Sequence, residues 1–133
     1  MYKLIVASAI ILFAFIVWII YMANISADSL FFDLVKATPY GDKVGHVLLY
    51  GFLTLAANLT FRIRTFVVYG WRFYIGTVIV SLLVFLEELS QAFLPSRTFD
   101  LVDLAADMIG ITVFTILSVK VVKSLSIKPQ DRI

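Results

Sequence analysis

The ionisable and amide side chains of this 133-residue chain gather in three short runs at helical spacing. Asp42, His46 and Tyr50 stand at i, i+4 and i+8, with Lys43 beside the first; Glu87 and Gln91 stand at i and i+4; Asp100, Asp103 and Asp107 stand at i, i+3 and i+7, just after Arg97. On a helix each run occupies one narrow face, so the three stripes can be turned toward one another. The chemistry open to such a set is proton transfer and anion recognition. His46 and Glu87 are the candidates for a general acid or base, because an ionisable group held among carboxylates can exchange a proton near neutral pH. Lys43 and Arg97 supply positive charge, and the arginine fork suits bidentate contact with a phosphate or carboxylate. Tyr50, Gln91 and Asp107 orient their neighbours by hydrogen bonds. No evident nucleophile accompanies them, and whether the chain is an enzyme is open.

Each residue also has a plainer role to set beside the chemical one. Asp42 and Asp100 precede helical runs and are placed to act as N-caps as well as site residues. Glu88 faces away from the Glu87 stripe and reads as a carboxylate at headgroup level. Arg97, after Pro95 and Ser96, can pair locally with Asp100 or reach an anion. Glu87, Asp103 and Asp107 have no capping explanation. His46 with Glu87, Asp103 and Asp107 offers nitrogen and oxygen donors for a divalent cation, but without a fixed ligand spacing, so neither a metal nor a cofactor is assigned. The chain has no Cys, which excludes thiolate ligation, disulfides and a Cys nucleophile. Walker A, GxGxxG, HExxH and GxSxG patterns are absent.

The elements that carry these stripes follow from composition. The chain is 62% hydrophobic and 15% charged, with a mean hydropathy of +1.01, whereas a soluble domain is about 25% charged. A soluble fold of this length cannot bury that much apolar surface. Apolar stretches at about 4–23, 44–61, 73–92 and 101–122 approach the length of about 20 residues that crosses a bilayer. The expected fold is therefore an all-α integral membrane protein, a single domain over 1–133 built as a four-transmembrane-helix bundle. The first stretch is longer than a cleavable signal's apolar core and reads as an uncleaved anchor. Gly41 and Gly45, with Gly76 and Gly110 inside spans, permit close helix approach.

Basic residues set the orientation. Arg62, Arg64 and Arg72 lie between the second and third stretches, and Lys120, Lys123, Lys128 and Arg132 lie in the tail, so both segments are expected in the cytoplasm: an N-in/C-in topology. Trp18, Tyr21, Tyr69, Trp71 and Tyr74 then fall near the interfaces. The net charge of +2 fits membrane lipids as partners, not nucleic acid. In this topology the three polar stripes share the external side. From a rise of about 1.5 Å per residue, His46 and Asp103 lie roughly 5–6 Å inside their helix entrances and Glu87 and Asp107 roughly 10 Å. Ionisable groups at such depth usually face a bundle interior or a watery cavity.

Two blocks carry a resemblance to a known family. In DKVGHVLLYG, Asp42, Lys43, His46 and Tyr50 follow the spacing D-K-x-x-H-x-x-x-Y; in EELSQAFLPSRTFDLVDLAADMIG, Glu87, Gln91, Pro95, Arg97, Asp100, Asp103 and Gly110 follow E-x-x-x-Q, then R, then D-x-x-D, then a closing G. This pattern resembles the VanZ-like family of small bacterial membrane proteins over about half the chain. Asp107 departs from it, a carboxylate standing where the family pattern expects Asn. The resemblance implies a multi-pass protein of the bacterial cytoplasmic (inner) membrane, linked to the cell envelope and to antibiotic resistance against teicoplanin, a lipoglycopeptide. The expected role is recognition of an envelope component or a lipid-linked or amphiphilic ligand by an extracytoplasmic polar site; the alternative is a structural or assembly subunit whose polar network only locks the helices. Homo- or hetero-oligomers are compatible with either.

Overall fold

The computed structural model describes residues 1–25, 30–95, 97–125 and 128–129. Arg132, one of the basic residues used to orient the tail, and Ser96 lie outside the described residues. The chain is mostly helical: α1 (Tyr2–Asn24), α2 (Leu30–Ala37), α3 (Gly41–Thr60), a hairpin of β1 (Thr65–Val68) and β2 (Trp71–Tyr74), α4 (Ile75–Gln91) and α5 (Leu101–Ser124). Helix α3 is the hub, packing against α1, α4 and α5. The core contains Ile16 from α1, Tyr50 and Leu53 from α3, Val80 and Val84 from α4, and Ile111 from α5.

Close packing of α3 on α5 depends on Gly110. A Cβ at this position would overlap the backbone carbonyl of Val47, an atom that cannot swing aside. The expected close approach thus holds at Gly110, and at Gly76, where a Cβ would meet Asn58. It holds at Gly41 as well, where a Cβ would overlap the Val35 carbonyl of α2, but not at Gly45, where a Cβ would meet nothing within 4 Å.

Two features depart from the expected four-helix bundle. The segment between α3 and α4 is not a plain loop but an antiparallel hairpin in the register Thr65↔Tyr74 to Val68↔Trp71. Tyr69 (φ 50°) and Gly70 (φ 82°) make its two-residue turn, with left-handed backbone at both positions matching strand twist. Phe73 and Tyr74 belong to this hairpin, so α4 starts at Ile75 rather than at residue 73. The second departure is α2, an eight-residue helix inside the loop that follows α1.

Among the described residues two helices, Tyr2–Asn24 and Leu101–Ser124, are long and apolar enough to cross a membrane. Helix α4 has 17 residues and so rises about 26 Å, a little less than a hydrocarbon core of about 30 Å. Helix α3 is long enough at 20 residues but opens with Asp42, Lys43 and His46.

Candidate functional site

The polar stripes converge where the N-termini of α3 and α5 meet the C-terminus of α4. Lys43 anchors the rim. Its ammonium lies 3.0 Å from Asp42 and 3.0 Å from Asp100 and also bonds Asp103. Burial alone would lower the pKa of Lys43, but the bonds to Asp103, Asp100 and Asp42 outweigh it and hold the ammonium above its ordinary range. The same cation holds the Asp42 carboxyl below its usual range. Asp100 is lowered first by Lys43 and then by the Val102 N–H, which donates to Asp100 Oδ1 at 2.8 Å.

That N–H bond makes Asp100 the N-cap of α5, as its position suggested. Asp42 is not a cap. The N-cap of α3 is Tyr40, in left-handed backbone, and Asp42 stands in the first turn with its side chain 57% exposed. It stays on the His46–Tyr50 face and lines the same cavity, where its exposed carboxylate pairs with Lys43.

Deeper in, His46 sits between two carboxylates of α5. Its Nδ1 is 2.8 Å from Asp107 Oδ1 and its Nε2 is 4.0 Å from Asp103 Oδ2. Asp107 is fully buried, and its carboxylate is bonded to the imidazole. The ring of buried Tyr50 lies one turn below, 6.0 Å from the imidazole centroid.

From α4, Gln91 Nε2 donates to Glu87 Oε1 at 2.8 Å and to Glu88 Oε1 at 3.2 Å. Arg97 lies 3.5 Å from Glu87 Oε1 and donates from Nη1 to Asn24 Oδ1 at 3.1 Å, tying the end of α1 to the site. The structure thus brings together Lys43, His46, Tyr50, Glu87, Gln91, Arg97, Asp100, Asp103 and Asp107, with Asp42 on the outer edge.

Glu88 is the residue that sequence reasoning misplaced. It does not face away from the protein but is fully buried, on the same face as Val80 and Val84. The signal was available: 80, 84, 88 and 91 are spaced as one helical stripe, which carries Glu88 to the same face as the amide of Gln91.

A cavity of about 150 Å³ opens beside this cluster. Ile16, Ile19 and Ile20 of α1 form an apolar wall, while Asp42, His46, Glu87 and Arg97 form its polar end. Gly45 also lines it, and its missing side chain leaves that room. The arrangement can hold an apolar chain beside α1 with an anionic or hydrogen-bonding head at Arg97, and His46 can exchange a proton between the cavity and Asp107.

A second polar cluster lies at the opposite end of the bundle and behaves differently. Asn58 Nδ2 donates to Thr77 Oγ1 at 2.9 Å and to Ser118 Oγ at 3.4 Å, and its Oδ1 accepts from the Thr77 N–H at 3.1 Å. Thr77 in turn bonds Thr115 at 2.8 Å. This network joins α3, α4 and α5 through neutral groups that are mutually satisfied. The cluster around His46, by contrast, leaves buried oxygens of Glu87, Glu88 and Asp107 without a hydrogen-bond partner. No family model matches the chain, and neither a curated protein nor a solved structure matches it.

Proposed function

We propose that the chain is a VanZ-like, multi-pass protein of the bacterial inner membrane whose extracytoplasmic polar site recognises the head of an envelope component or other amphiphile. The observation that carries this reading is the cavity that joins an apolar wall on α1 to Arg97, Glu87 and His46. Its two kinds of lining match the two halves of an amphiphile. Four spans are supported by the apolar side chains that α3 and α4 expose: Leu48 and Phe52 on the former, Leu82, Phe85 and Leu86 on the latter. Such contiguous apolar surface marks contact with lipid or another chain. The N-in/C-in arrangement is supported by Arg62, Arg64 and Arg72 between the second and third spans. On this topology the cavity opens to the exterior, and the basic hairpin faces the cytoplasm. A link to teicoplanin resistance follows from the family resemblance.

The competing reading, a structural or assembly subunit with the polar site as helix glue, is less favoured for one reason. The Asn58 network already joins the same three helices with its bonds complete, whereas the His46 cluster buries unpartnered oxygens that cost stability. Native mass spectrometry with lipidomics on wild type, Arg97→Ala and Glu87→Gln tests the choice. A headgroup-bearing molecule retained by wild type and lost from both folded variants supports recognition. If no selective molecule is retained and both variants lose stability or a partner subunit, the structural reading takes its place.

A further inference from the structure

Glu88 and Asp107 pose a charge problem. Both are fully buried, they project from different helices, and each keeps one oxygen, Glu88 Oε2 and Asp107 Oδ2, without a hydrogen-bond partner. Among the described residues the permanent cations of the site are engaged elsewhere: Lys43 pairs with Asp42, Asp100 and Asp103, and Arg97 pairs with Glu87. Two buried carboxylates therefore share a single imidazole. A buried carboxylate without a compensating charge is strongly disfavoured, so the pair needs either protons or a cation.

The geometry suits a cation. One donor atom each from His46, Glu88 and Asp107 lie within 4.8 Å of one another. Ligands bonded at about 2.0–2.2 Å stand no more than about 4.4 Å apart, so a small adjustment of side-chain torsions closes the set. We propose that His46, Glu88 and Asp107 form the protein ligands of one divalent cation. The two positive charges of the ion balance the two carboxylates, leaving His46 as a neutral donor. One imidazole nitrogen with carboxylate oxygens and no thiolate selects ions such as Zn²⁺ and Mn²⁺ over soft ions such as Cu⁺. Gln91, bonded to Glu88 Oε1, orients a ligand from behind as an outer partner does. Because His46 also lines the cavity, the remaining coordination positions face the space open to water or a bound anion. The cation site stands whether or not that space takes an amphiphile.

The test uses the full chain, purified in detergent and stripped with a chelator, then titrated calorimetrically with Zn²⁺ and separately with Mn²⁺. Wild type is expected to bind one equivalent and to gain thermal stability with rising ion concentration. Glu88→Gln and Asp107→Asn, which keep side-chain shape, are each expected to weaken binding about tenfold or more. Asp33→Asn, on α2, is expected to leave it unchanged. Pulsed electron paramagnetic resonance of Mn²⁺ on wild type supplies a readout independent of variant folding, and coupling to an imidazole nitrogen is expected. The absence of stoichiometric binding, binding that survives both substitutions, or bound Mn²⁺ without imidazole coupling overturns the site.

Discussion

Replacing Gly110 by Ala should separate the two helices that hold the site. The new methyl group meets the Val47 carbonyl oxygen, a backbone atom of α3, at a distance no Cβ tolerates. Overpacking of this kind costs about 1–3 kcal/mol, and removal of a helical glycine returns about 0.5–1 kcal/mol. The expected net loss is up to about 2.5 kcal/mol. The strain also acts where the chemistry is, since Asp107 lies one turn before Gly110 and His46 adjoins Val47, so their 2.8 Å contact is stretched. Gly45→Ala is the control. Its Cβ enters open space, and the same substitution there should stabilise the helix by about 0.5–1 kcal/mol while narrowing the cavity. Equilibrium unfolding in micelles reads both variants on one scale. The packing argument fails if Gly110→Ala is as stable as wild type, or if the two variants shift in the same direction.

Lys43→Met leaves Asp103, 16% exposed, beside Asp100 and Asp42 with their shared cation gone. Between the weak surface pair and the strong buried one, a loss of about 1–3 kcal/mol is expected, and chemical denaturation that finds none would remove Lys43 from its anchoring role. Asp42 and Asp100 sit below the ordinary carboxyl value of 3.8, so their contribution is complete above that pH and lost as pH falls through the lower folded-state values. Lys43, raised above 10.5, contributes fully below that pH and loses its contribution only on the alkaline side. Thermal unfolding is therefore expected to weaken in strong acid with a shallower fall in Asp100→Asn; equal falls would contradict the assignment. Asn58→Ala should destabilise the bundle by about 1–3 kcal/mol yet keep the ligand that wild type retains, as native mass spectrometry would show. Thr98→Cys, in a chain without other cysteines, should react with an impermeant maleimide in intact cells, whereas labelling only after lysis reverses the orientation.

The site was legible in the sequence to the extent that helical spacing governs it. His46 and Asp107 meet because each stands on a face set by 3.6-residue periodicity, and Asp100 caps α5 because it immediately precedes a helical run. Asp42 keeps its place on the stripe but is not a cap: the chain enters α3 through left-handed Tyr40, so the helix begins before Asp42 and leaves it in the first turn. Glu88 was hidden by its neighbour. The i, i+4 relation of Glu87 to Gln91 drew the stripe one residue too far round, although both carboxylates reach the same amide. The hairpin escaped because its arginines were fully explained by topology, while Tyr69–Gly70 between β-branched and aromatic runs carried the turn signal. Helix α2 has too few residues for periodicity to stand out, and the cavity depends on packing between α1 and α3 that no local pattern encodes.

The most direct test of ligand recognition is photocrosslinking from the apolar wall itself. A photoreactive amino acid at Ile20, which faces the cavity, is activated in intact envelopes, and the adduct is identified by mass spectrometry. The account predicts one enriched adduct with an acyl or other apolar chain and an anionic head, sharply reduced when Arg97→Ala is added to the same chain. Adducts that simply mirror the bulk lipid composition, unchanged by Arg97→Ala, would contradict it.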